Sequence, residues 1–135
     1  MSPTSRTLKV IRDDGWMAGI VERFITAGKN RAFGNRSDLF GIFDIIAVQN
    51  NLPFPYPGTL GIQVFSTAWR EHEEKMVENG DAVRTWIKAG NGIELWGWRK
   101  LKLKRGGKAF RWTPKIKRVL LAEDDSISFQ DLTWT

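Results

Sequence analysis

Two apolar runs flank a proline-rich loop, and a single polar residue interrupts each run. Residues 39–48 read LFGIFDIIAV, and residues 60–65 read LGIQVF. Runs this apolar suit buried strands of a sheet covered on both faces. Between them, residues 49–58 (QNNLPFPYPG) hold three of the five prolines at alternate positions. That pattern predicts a stiff extended loop, because proline cannot donate to a strand ladder. If the two strands pair antiparallel around the loop, Val48 sits opposite Thr59 and Asp44 opposite Gln63, since both pairs of numbers sum to 107. Directly opposed side chains have Cβ atoms roughly 4.5–5.5 Å apart. An unpaired charge at Asp44 would cost several kcal/mol, so something must compensate it. A hard divalent cation held by oxygen ligands would do so. An Asp–Gln hydrogen bond that neutralises both groups is the structural alternative.

The remaining pattern predicts a mixed α/β single domain. Residues 3–14 read as a helix, with Pro3 in the first turn and Gly15 at its end. Residues 16–25 (WMAGIVERFI) read as one strand, and residues 29–37 (KNRAFGNRS) as a polar, basic loop. Ser66 or Thr67 is expected to cap a helix that runs to Asn79 and ends at Gly80. Asp81 is expected to cap a second helix that ends at Gly90. Residues 93–103 alternate and read as a long strand, 105–108 as a turn, 109–113 as the return and 116–121 as a further strand. Residues 1–122 thus form a mixed β-sheet flanked by helices with a C-terminal basic β-hairpin. Residues 123–135 open with Glu123, Asp124 and Asp125 and read as a loose acidic tail.

Charge separates the hairpin from everything else. The formal net charge is +6, from 21 basic and 15 acidic residues. Ten of the basic residues and no acidic one fall between positions 99 and 118. Such a segment suits a polyanion such as DNA; solvated lysines that block edge-to-edge pairing are the other explanation. Alternation places Lys100, Lys102 and Lys104 on one face, and Leu101 and Leu103 on the other. Arg99, Arg105 and Lys108 extend the basic surface. The absence of cysteine excludes disulfide scaffolds and cysteine nucleophiles. No Gly-Lys-Ser/Thr phosphate loop exists, so no nucleotide cofactor is expected. No run has the length of a spanning helix, and the first residues lack the layout of a signal peptide, so no membrane partner and a cytoplasmic location are expected.

The interrupted strands resemble the PD-(D/E)xK nuclease superfamily. There an Asp ends or interrupts one strand, and a following strand carries Glu or Gln, any residue, then Lys. Asp44 falls on the Asp, and Gln63-Val64-Phe65 on the second half-motif. The order helix, strand, Asp-strand, Gln-strand, helix matches over roughly residues 3–98. The segments Gly15-Trp16, Val21-Glu22-Arg23, Asp38-Leu39-Phe40-Gly41, Gly61-Ile62-Gln63 and Trp96-Gly97-Trp98-Arg99-Lys100 resemble a phage and prophage branch related to Holliday-junction resolvases. The resemblance implies a restriction-endonuclease-like fold and a Mg²⁺- or Mn²⁺-dependent DNA endonuclease in a bacterial or phage-infected cell. It also implies branched DNA as substrate, a homodimer, and a metal held by Asp44, Gln63 and the Val64 carbonyl. One departure stands out: the family's Lys position is Phe65, which cannot polarise a water. A catalytically weakened DNA-binding module on the same fold is therefore the alternative.

Other residues are candidates for the same site. Lys75 lies on the helix after Gln63, sharing one side with Trp69, His72 and Met76, and could supply the missing cation. It could equally be a surface lysine among Glu71, Glu73, Glu74 and Glu78. His72 is a candidate general base or phosphate contact, or a packed residue. Glu22 alternates with Ile20 and Phe24 and could reach the same metal; an ion pair with Arg23 or Arg36 is the other option. Asp38 is accounted for by capping or loop anchoring, with a metal role as the alternative. Arg31 and Arg36 could contact phosphate or simply be solvated. Trp96 and Trp98 could stack on bases, although core or dimer packing explains them better.

Overall fold

A computed structural model describes residues 1–25, 35–53 and 55–133. Three helices, α1 (Pro3–Asp13), α2 (Trp69–Glu78) and α3 (Gly80–Lys88), accompany eight strands among these residues. The strands are β1 (Met17–Ile20), β2 (Arg23–Ile25), β3 (Asn35–Ser37), β4 (Ile45–Val48), β5 (Thr59–Phe65), β6 (Gly92–Lys102), β7 (Phe110–Leu121) and β8 (Ile127–Leu132). Six of them form one open mixed sheet in the order β1-β4-β5-β6-β7-β8, and β2 pairs with β3 separately. Every pairing in the large sheet is antiparallel except β5 with β6. That parallel step requires a crossover, and α2 and α3 provide it.

Helix α1 starts where Ser2 accepts from the Ser5 amide and Pro3 occupies the first turn. Its Leu8 and Ile11 pack on one face of the sheet against Ile45, Ile62, Trp96 and Trp98. The other face is covered by α2 and α3, with Met76 and Val83 packed against Phe65, Ile93 and Leu95. The sheet is thus buried on both sides, which is why its central strands read as continuous apolar runs.

Two glycines let aromatic rings lie directly on the backbone of this sheet. A Cβ on Gly61 would fall 2.4 Å from the Phe43 ring, and one on Gly97 would fall 2.7 Å from the Trp69 ring. Phe43 immediately precedes Asp44, and Trp69 opens α2. These two contacts therefore seat both elements that border the acidic site.

The β4–β5 register agrees with the sequence expectation: Ile45↔Ile62, Ile46↔Gly61, Ala47↔Leu60 and Val48↔Thr59 all sum to 107. Several other expectations need correction. Residues 16–25 are not one strand but β1 and β2, separated at Val21 and Glu22, whose amides both approach the Asp44 carbonyl oxygen. Residues 39–44 are not strand either. They turn tightly through Phe40 and Gly41, both at positive φ, and bury Ile42 and Phe43 from a loop. Burial alone made that segment apolar. Neither Ser66 nor Thr67 caps α2, whose N-cap is Ala68 in the left-handed region. Helix α3 starts at Gly80, so Asp81 lies in its first turn. Residues 109–121 hold one continuous strand, β7, in which Pro114 lies beyond the part paired with β8. Within the expected acidic tail, residues 127–132 form β8 against β7.

Candidate metal centre

The site lies where β4 begins and β5 ends. Asp44 sits one residue before the β4 ladder, and its amide donates to the Ile62 carbonyl (2.8 Å). Its side chain is buried, and Oδ2 accepts two hydrogen bonds, from Gln63 Nε2 (2.7 Å) and the Val64 amide (2.7 Å). Gln63 Nε2 also reaches Asp38 Oδ2 (3.3 Å), and the Lys75 ammonium forms an ion pair with that same oxygen. The tight turn after Asp38 is what returns its carboxylate to Asp44. Glu22 completes the group: ligand oxygens of Glu22, Asp38 and Asp44 all lie within 4.8 Å of one another.

Crowding two acids in a dry place splits their proton affinities. Burial, followed by hydrogen bonding to Asp38, pushes Asp44 up to about 7, against the Val64 amide and Gln63, which favour its ionised form. Burial also acts to raise Asp38, but hydrogen bonds from Asp44 and Lys75, the Lys75 charge and Gln63 outweigh it and hold Asp38 below its ordinary value. Between the ordinary carboxylate value and about 7, the pair therefore holds one proton, on Asp44.

Phe65, at the family's Lys position, stacks flat on His72 with ring centroids 4.0 Å apart and 8° between planes. Trp69 meets its edge at 4.6 Å. His72 is held below its ordinary value by burial and by the nearby Lys75 charge. Its Nδ1 is buried without a partner among the described residues. A cleft of about 880 Å³ opens over this end of the sheet; Ser2, Glu22, Asp44, Val64, Thr67 and His72 are among the residues lining it.

The donor set suits a hard divalent cation, since the three clustered side chains are all carboxylates and offer oxygens. The Oε1 of Gln63, on a residue 2% exposed, has no hydrogen-bond partner among the described residues, so a buried acceptor is left over beside the carboxylates. Asp38 is the residue sequence reasoning undervalued. Its signal was present in the Asp-Leu-Phe-Gly segment, but the turn that redirects it was not legible.

Trp96 and Trp98 are buried, donate to Glu94 and Thr7 respectively, and so belong to the core. Arg99, Lys100 and Lys102 lie exposed on β6, while Lys104, Arg105 and Lys108 lie exposed in the loop before β7. The even-numbered lysine row is therefore two strand residues and one loop residue. The apolar face opposite is not packed: Leu101 and Leu103 are exposed at 39% and 62%. Arg36 lies on β3, and Arg31 lies outside the described residues.

Comparison with known protein families, curated proteins and solved structures finds no match. The α/β fold and the Glu22–Asp38–Asp44 triad are consistent with a PD-(D/E)xK-like nuclease fold in general, with Phe65 at the position of the usual Lys. No helix among the described residues is long and apolar enough to cross a membrane.

Proposed function

We propose that this chain is a DNA-binding domain on a nuclease-like fold, with a divalent-cation site whose capacity for phosphodiester hydrolysis is weakened. The observation that carries the reading is the carboxylate triad at the end of the sheet from which the basic hairpin projects. Strand β6 runs parallel to β5 and continues through Lys102, past its last β5 partner at Phe65↔Gly97. Charges for a phosphate backbone and ligands for a cation thus share one end of the molecule.

Glu22, Asp38 and Asp44 would hold Mg²⁺ or Mn²⁺, with Gln63 and Val64 beside them. When bound, such a cation neutralises charge developing on a phosphate and supplies a nucleophile at neutral pH. Gln63 bridges Asp38 and Asp44 and fixes their spacing. Phe65 brings no cation, and this weakens catalysis. The hairpin supplies affinity for the phosphate backbone that does not depend on base sequence.

A second reading, an active and structure-selective endonuclease of the junction-resolving kind working as a homodimer, is favoured by one observation. Lys75 reaches the cluster from α2, so an ammonium is available there without a Lys at position 65. Its role would be to stabilise transition-state charge. Incubating the protein with a four-way junction, a nicked duplex and linear DNA, with and without Mg²⁺ or Mn²⁺, separates the two. Binding without cleavage is the expected result. Cleavage abolished by Asp44→Ala and by Lys75→Ala would establish the endonuclease, and no binding at low salt would overturn both.

A further inference from the structure

Beyond Gly97 and Lys115, strands β6 and β7 leave the body of the sheet as a two-stranded ribbon. Opposed residues share a face. Lys100 pairs with Trp112 and Lys102 with Phe110, so one face carries lysine and aromatic side chains together. The Lys100 ammonium lies 5.6 Å from the Trp112 ring centre and 5.8 Å from that of Phe110. Arg6 of α1 lies over the same Trp112 ring at 4.6 Å. The result is a ladder of Phe110, Lys100, Trp112 and Arg6, in which cations alternate with rings. Trp112 is half-buried under its cations, whereas Phe110 is 53% exposed.

We infer that this ribbon face binds single-stranded DNA, with unpaired bases stacked on Phe110 and phosphates held by Lys100, Lys102 and Arg6. The inference rests on the DNA-binding reading above and specifies the strand state it prefers. A duplex hides the faces of its bases and offers only phosphates and groove edges, for which exposed rings have no use. A single strand offers bases to stack and phosphates to neutralise at alternating positions, as the ladder does. The chain leads from there to the carboxylates: Arg6 directly follows Ser2–Ser5, which line the cleft over Asp44 and Glu22. An anionic lipid surface fits less well. Insertion needs an apolar face set apart from a basic one. Here the opposite face of the ribbon mixes Leu101 with Arg99 and Arg111, so neither face is purely apolar.

The test uses the full chain and fluorescence anisotropy at low salt, with a labelled oligothymidine and a duplex of the same length. The single strand should bind more tightly. Phe110→Leu, which keeps an apolar side chain but removes the stacking surface, should weaken single-strand binding by about 5- to 150-fold and leave duplex binding unchanged. Phe110→Tyr should restore it. The position is exposed, so folding should survive in both variants, which circular dichroism checks. Duplex binding with no effect of Phe110→Leu on the single strand overturns this inference and leaves the DNA-binding reading standing. If neither DNA binds, that reading falls as well. Preferential co-sedimentation with phosphatidylserine vesicles would assign the ribbon to a lipid surface and overturn the inference.

Discussion

The acidic cluster and the basic ribbon occupy the same end of one sheet and handle charge in opposite ways. At the cluster, carboxylates are drawn into a place where Asp44 is 4% exposed, and its Oδ2 is held by the Gln63 side-chain amide and the Val64 N–H. On the ribbon, every basic residue from Arg99 to Lys108 is exposed. Buried charges act singly, because losing one partner leaves the other stranded. Exposed charges act collectively and are screened by salt. The same kind of substitution should therefore have very different consequences at the two places.

The largest effect is expected for Asp44→Ala. It leaves the part-buried Val64 amide without its acceptor and Gln63 Nε2 with only its longer bond to Asp38, each lost acceptor costing about 1–3 kcal/mol. Urea unfolding at pH 5 should show a loss of about 2–4 kcal/mol. The rise in melting temperature on adding Mn²⁺ should vanish. A variant that kept that rise would place the cation elsewhere.

Next comes pH. The folded protein holds the Asp44 proton up to about 7, far above the ordinary value of 3.8, so between these values it binds more protons than the unfolded chain. Stability attributable to Asp44 must therefore fall as pH rises from about 4 to about 7, and flatten above that. The limit is on the order of 4 kcal/mol. Asp38 acts oppositely, contributing stability above its unfolded value that is lost in acid. Asp44→Asn keeps the shape and removes the titration, so its stability should vary less across pH 4–7. A wild-type curve as flat as the Asn variant's would mean the two acids do not share a proton.

How much of this was legible depended on whether neighbours in sequence carry the geometry. The Asp44–Gln63 contact was legible because a hairpin register is arithmetic: one fixed pair determines all the others. Asp38 was not, because its position depends on a turn through Phe40 at positive φ, a conformation that no side-chain pattern announces. The ribbon's charge was legible from composition, but its exposure was not. Alternation gave Leu101 and Leu103 a face of their own, whereas what lies beneath a face is decided by elements distant in the chain. The same limit hid the ring ladder, which needs Arg6 from the first helix.

A smaller effect should follow at Gly97, which joins the two regions. A methyl group there meets the Trp69 ring at 2.7 Å, with Phe65 packed against the same ring. Gly97→Ala should cost about 1–3 kcal/mol by overpacking. It should also push α2 away and weaken the Lys75–Asp38 pair, while leaving DNA affinity within about twofold. Loss of DNA binding in this variant would show that the two regions are mechanically coupled.

The smallest effect on stability should come from removing the most charge. Replacing Lys100, Lys102 and Lys104 together with Gln takes three positive charges from exposed positions that make no ion pairs among the described residues. Exposed substitutions of this kind stay within about 0.5 kcal/mol. The effect belongs in binding instead. Each phosphate contact releases condensed counterion, so log K falls with log salt by about 0.9 per contact on duplex DNA. Titrations at several salt concentrations should show weaker binding on unrelated sequences and a slope shallower by roughly 2 to 3. Lys104 lies in the loop, off the strand row, so restoring it alone should return less of the slope than restoring Lys100 or Lys102. If the lysines serve only to protect the ribbon from pairing with other chains, the triple variant should aggregate with its salt slope unchanged. That result would leave the ribbon charged for solubility and the acidic cluster without a DNA-holding neighbour.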